Sequence, residues 1–183
     1  LACALVIYVR RVALRSALRE AARDWRAAVA ESPKLAATAV AVLGIASVAS
    51  WIPTMMYDDV AYHLGLAAQL QTWGYYQMNA QTQIWALAPW ASDLLHALVA
   101  LIADREARGS VNLLWLLGAA SLLYAVCRQC GLSARWSWIG VLLLASYPIT
   151  SALLVSMHTE LPATATLLGI VWLLQASEAA ERA

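Results

Sequence analysis

Uncharged apolar stretches dominate the chain and are separated by short polar ones. Leu35 to Ile52 and Ser110 to Cys127 each run 18 residues without a charge, Trp136 to Ser156 runs 21, and Leu161 to Ala176 runs 16. A helix rises about 1.5 Å per residue and a bilayer core is about 30 Å thick, so runs of this length predict membrane-crossing helices. The expected fold is all-α, a polytopic transmembrane helix bundle with juxtamembrane helices on the outer side. Two apolar pieces fall outside the four spans. Leu1 to Tyr8 is too short to cross and reads as the tail of an upstream span. Ala88 to Ala103 is interrupted by Asp93 and His96, one turn apart, and reads as an interfacial or re-entrant helix whose polar face meets water.

Composition agrees with the pattern. The 183 residues are 62% apolar and 13% charged, with a mean hydropathy of +0.65, against roughly 45–50% and ~25% for soluble domains. The formal net charge of +1 argues against a nucleic-acid partner, which needs a concentrated basic excess. The positions of the charges say more than their sum. Residues 9–34 hold Arg10, Arg11, Arg15, Arg19, Arg23, Arg26 and Lys34 against three acids, and 128–135 holds two arginines and no acid. Under the positive-inside rule both segments are cytoplasmic, as is 177–183. Residues 9–34 form either a plain linker or a helix along anionic headgroups. Residues 53–109 and 157–160 are then outside, and they carry Asp58, Asp59, Asp93, Asp104, Glu106, Glu160 and all three histidines. That outer surface is suited to holding a divalent cation and to acting on a substrate that arrives through the bilayer.

Asp58 and Asp59 follow a membrane exit at Pro53. Adjacent carboxylates at a dry interface repel, so one binds a cation or keeps its proton, which is how metal ligands and general bases arise; the alternative is that they cap a helix starting near Val60. His63 falls near the same helical face. Glu160 stands alone between two spans, either as a functional acid or as a solvated cap before Pro162. Trp73, Tyr75, Tyr76, Trp85 and Trp90 form an interfacial belt or a wall for a sugar or isoprenoid. Cys127-x-x-Cys130 lacks the further ligands of a metal site and reads as two small residues at a helix end, stopped by Gly131. Phosphate-loop, dinucleotide and common hydrolase motifs are absent.

The stretch Tyr57-Asp-Asp-Val-Ala-Tyr-His-Leu64 after a span ending in Pro53 resembles the first outer loop of the GT-C superfamily of polyprenyl-phosphate-sugar glycosyltransferases, which includes aminoarabinose transferase-like and protein mannosyltransferase-like enzymes. Pro89 with Asp93, the basic turn Arg128 to Arg135, Tyr147-Pro148 and His158-Thr-Glu160 follow the family's order, with Glu where Asp is more usual. The resemblance implies an inverting transfer of sugar from a lipid-linked donor to an acceptor on the outer side of a membrane, that of the bacterial inner membrane. It implies Asp58 as catalytic base and a divalent cation of the magnesium or manganese type near Asp59 and Glu160. Tyr62, His63, Asp93 and His158 would contact substrate. The chain would then be the first part of a longer enzyme. The competing expectation is a non-catalytic transporter or assembly subunit with an acidic outer cation site. One shared site requires Asp58 and Glu160 within about two helix diameters, each ~10 Å.

Overall fold

The computed structural model describes residues 2–54, 56–77, 81 and 91–181, and all regular structure among them is helical. Eight α-helices follow one another: α1 Ala2–Glu31, α2 Pro33–Ser47, α3 Leu64–Trp73, α4 Ala91–Ala103, α5 Arg108–Gln129, α6 Ala134–Ser146, α7 Pro148–Val155 and α8 Glu160–Glu181. The expected apolar stub and basic segment are one unbroken helix, α1. Ser32 leaves helical geometry and Pro33 restarts the chain as α2, where its missing N–H costs nothing.

Among the described residues, two helices are long and apolar enough to cross a membrane: Pro33–Trp51, which is α2 continued by a 3-10 turn, and α5. The third expected span, residues 136–156, is broken. Pro148 cannot donate to the carbonyl of Leu144, and Tyr147 before it is extended, so α6 and α7 meet at a 56° bend. The hydroxyl of Thr150 takes the orphaned Leu144 carbonyl at 2.6 Å. Counted as one bent span, this pair makes a third crossing. The expected fourth is helical as α8, 22 residues long, but it is not among the helices apolar enough to cross. The 13-residue α4 rises about 20 Å, short of a bilayer core.

The core is built on small residues. Ala36, Ala39, Leu43 and Ala46 of α2 recur at three- and four-residue steps, as do Ala134, Trp138, Val141 and Ala145 of α6, and all are buried. Such seams let helix backbones approach closely. On the other side, Leu116, Ala119 and Ala120 of α5 join the same core with Leu161 and Ala165 of α8. The outward faces are apolar as well: Leu114 is 70% exposed, Ile45 72% and Leu143 65%. In water such surface is costly, whereas hydrocarbon is a suitable neighbour.

The end of α1 and the end of α5 lie together. Arg128, at the end of α5, meets Glu31 at 2.6 Å, and the indole of Trp138 donates to the carbonyl of Ala28 at 3.1 Å. That end of α5 closes with Gly131 in the left-handed region (φ +82°), the N–H of Leu132 bonding the carbonyl of Cys127. At the other end the first turn of α5 lies against the 3-10 turn. A Cβ on Gly109 would run into the carbonyl oxygen of Ser50.

Candidate functional site

After Trp51 the chain leaves the first span through Ile52 and Pro53 and becomes helical again at Tyr57. The turn Asp59–His63 is a π-helix, one residue wider than an α turn, and runs on into α3. Such widened turns are frequent at functional sites. Here the turn puts Asp59 and His63 on the buried side, where helix capping had been an alternative for the acids. Asp58 makes no capping hydrogen bond at this turn.

Asp59 is fully buried. Its Oδ1 accepts the backbone N–H of Met157 at 2.9 Å, and its Oδ2 accepts the hydroxyl of Thr54. A carboxylate with both oxygens bonded to protein donors stitches the α7–α8 connection to the start of α3. Removing it leaves the buried Met157 N–H and the part-buried Thr54 hydroxyl without this acceptor. His63, 7% exposed, gives its Nδ1 to Asp93 of α4 at 2.7 Å, and Asp93 is 6% exposed. A carboxylate on one ring nitrogen orients the imidazole and leaves the other nitrogen for a third group. The expected water-facing polar stripe on α4 is therefore corrected: Ser92, Asp93 and His96 are all buried and bond or pack against protein, because α3 and α5 cover that face. His96 is buried too, with Nδ1 on the Ser92 carbonyl at 2.8 Å and Nε2 on Asn112 Oδ1 at 3.2 Å.

Around this pair stand the remaining expected residues. Tyr62 lies against His63 with ring centroids 4.3 Å apart. Its phenol is pushed above the usual tyrosine value, first by burial and then by the Asp58 carboxylate that takes its hydrogen bond. His158 lies 6.4 Å from His63, ring to ring, and its Nδ1 is 3.7 Å from Glu160. Asp59 and Asp93 are sealed, Asp58 and His158 are half-buried, and Glu160 is open to solvent. Three chain segments thus meet in one cluster through direct contacts. With Met157 bonded to Asp59 and Glu160 three residues further on, the link to Asp58 is short on the scale of helix diameters.

Two residues that sequence reasoning passed over hold the cluster together. Arg108, 2% exposed, donates through Nη1 to the Leu154 carbonyl at 2.9 Å and through Nη2 to that of Ile52. Asn112 donates to the carbonyls of Leu154 at 3.0 Å and Ser156 at 2.6 Å. Together they cap the C-terminal end of α7 and tie it to the exit of the first span. The signal was available: a cation at a helix N-terminus opposes the helix dipole, and an amide inside an apolar run needs a partner.

A groove opens beside His158. Two cavities, of about 590 and 280 Å³, adjoin between α4, α5 and α8 and share Leu95, Trp115 and Thr166. Their walls are almost wholly apolar. Among the described residues, the buried Oγ of Ser92 and Nε1 of Trp115 have no hydrogen-bond partner, and both residues line the larger cavity.

Trp73 and Tyr75 are exposed at the end of α3, as a belt requires, whereas Tyr76 packs on the buried α3–α4 contact. Met55, Trp85, Pro89 and Trp90 lie outside the described residues. Cys127 and Cys130 are free thiols. Among the described residues no group of three His, Cys, Asp or Glu is arranged to hold a metal ion. Comparisons with protein-family models, curated proteins and solved structures find no match.

Proposed function

We propose that the chain is an integral-membrane glycosyltransferase that moves a sugar from a polyprenyl-phosphate donor to an acceptor on the outer side of the membrane. The observation that carries the reading is the meeting of Asp58–His63, Asp93 and His158–Glu160 in one cluster beside an apolar groove. Half-exposed Asp58 accepts the proton of the acceptor nucleophile. That nucleophile forms a bond to the anomeric carbon from the face opposite the lipid phosphate, whose C–O bond breaks with inversion. The lipid phosphate departs as an anion toward His158, and the apolar tail lies along the α4–α5–α8 groove. His63, fixed by Asp93, holds the sugar or acceptor through its free nitrogen.

The divalent cation is a separable part of the proposal. Both oxygens of Asp59 are engaged by Thr54 and Met157, so Asp59 does not fit the role of ligand. A second reading, a non-catalytic transporter or assembly subunit, draws support from how many of the polar groups are engaged in holding helices: Asp59, Arg108 and Asn112 all bond partners within the protein, most of them backbone groups.

The two readings separate in one assay. Membranes carrying the chain are given a polyprenyl-phosphate sugar with a labelled sugar, and release of unlabelled lipid phosphate is followed with and without EDTA. The enzyme reading expects donor cleavage above that of membranes lacking the chain; no cleavage with any of several sugars contradicts it. Loss of cleavage in EDTA, restored by magnesium or manganese, supports the cation; unchanged cleavage removes it.

A further inference from the structure

His96 has partners that do not match a neutral side chain. The ring of this α4 residue is buried, with Nδ1 2.8 Å from the Ser92 carbonyl and Nε2 3.2 Å from Asn112 Oδ1. A backbone carbonyl can only accept. The Asn112 amide is oriented by its other end, where Nδ2 donates to the carbonyls of Leu154 at 3.0 Å and Ser156 at 2.6 Å. Turning the amide over would set its oxygen against both, so Oδ1 is the atom that faces the ring. Two acceptors therefore meet one imidazole, and a neutral imidazole carries a single N–H. Only the imidazolium satisfies both.

The surroundings decide how firmly a second proton is held. A cavity of about 200 Å³ lies between α3, α4 and the start of α5, and His96 lines it together with Gln71, Glu106 and Arg108. Gln71 and Glu106 are exposed, so this wall is within reach of solvent protons. The Glu106 carboxylate lies 3.8 Å from Arg108 Nε, which shares its charge. Asp93, one turn earlier on α4, is engaged by His63 of the π turn at 2.7 Å. No titratable side chain comes from α3, and from the α7–α8 connection His158 faces His63. Burial and Arg108 oppose a second proton on His96, whereas the two acceptors and Glu106 favour it. Opposed effects of this kind make the proton conditional, as a switch requires.

We infer that His96 is a proton-operated latch between α4 and α5. With both ring nitrogens protonated it joins the Ser92 carbonyl to Asn112, and through Asn112 to the end of α7; when the Nε2 proton leaves, the bond to Asn112 opens. The Nδ1 bond is the shorter of the two and keeps the remaining proton. Acid closes the latch and alkali opens it. Asp93 is buried three residues before His96, so the latch also bears on the Asp93–His63 contact. The inference stands on the α4–α5 packing and does not require glycosyl transfer.

The test uses the full chain in mild detergent, with isotope-labelled histidine whose ring nitrogens are followed by NMR over about pH 5–8, the range in which an imidazole titrates. His63→Gln and His158→Gln identify the His96 signals by elimination. At the acid end both His96 nitrogens are expected to carry protons, and at the alkaline end Nδ1 alone. A ring that keeps one protonation state throughout, or that gives up the Nδ1 proton instead, overturns the inference. Thermal midpoints of the unaltered chain and His96→Gln give a second readout. The advantage of the unaltered chain is expected to widen as pH falls; an advantage that stays constant or narrows overturns the inference. The nitrogen readout is taken on chains that keep His96, so it holds even where His96→Gln does not fold. Donor cleavage enters neither readout, so failure of the enzyme reading leaves this test intact.

Discussion

At one end of α5, Arg108 and Asn112 are buried and bond backbone carbonyls of two other segments; at the other end, Arg128 meets Glu31 where both side chains are 37–50% exposed. The same helix thus ends in a sealed polar knot on one side and in a solvated ion pair over apolar packing on the other. Physical chemistry assigns these ends different worth. An exposed pair is screened and contributes about 0–1 kcal/mol. A buried donor or charge with its partners removed costs several times that. Costly polar groups are concentrated around Asp58, His63 and His158; the other end relies on alanine seams and Trp138.

The comparison can be broken at several strengths. Arg108→Leu takes the Ile52 carbonyl's side-chain donor away and leaves the Leu154 carbonyl with Asn112 alone; a loss of about 1–3 kcal/mol is expected, read as a fall in the thermal midpoint in detergent, and a fall as small as that of a surface variant would refute the knot. Gly109→Ala forces a methyl against the Ser50 carbonyl and is expected to cost about 1–3 kcal/mol in the same measurement. At the other end, Glu31→Gln should change stability by no more than about 0.5 kcal/mol, and the change should vanish in high salt. A large effect there would erase the contrast.

The smallest signal is a titration. Burial, followed by the Asp58 carboxylate, raises the Tyr62 phenol above 10.0, so the folded state keeps this proton longer than the unfolded state. The associated stability is complete below that pH and is lost as pH rises through the folded value. The tyrosinate difference spectrum between the unaltered chain and Tyr62→Phe is expected to show a midpoint above the ordinary one. An ordinary or lower midpoint would show that Asp58 does not face Tyr62.

Much of the helical framework was legible, because charge-free runs leave few alternatives at that length. The bend at Pro148 was visible as a proline inside such a run, yet the uniform apolarity of residues 136–156 hides it unless the missing Leu144 partner is considered. The candidate residues were legible as acids and histidines outside the spans. Their pairing was not: His63 and Asp93 are thirty residues apart and Asp59 and Met157 ninety-eight apart, and no local period encodes such contacts. Adjacent Asp58 and Asp59 have opposite surroundings that only tertiary packing distinguishes, since one is sealed among donors and the other is half-buried beside Tyr62.

That division is the central claim, and the pair Asp58→Asn and Asp59→Asn tests it most directly when donor cleavage and thermal midpoint are measured on the same preparations. The account expects Asp58→Asn to keep the midpoint of the unaltered chain while cleavage falls at least about 100-fold, and Asp59→Asn to lower the midpoint. Full turnover by a normally folded Asp58→Asn variant would contradict it.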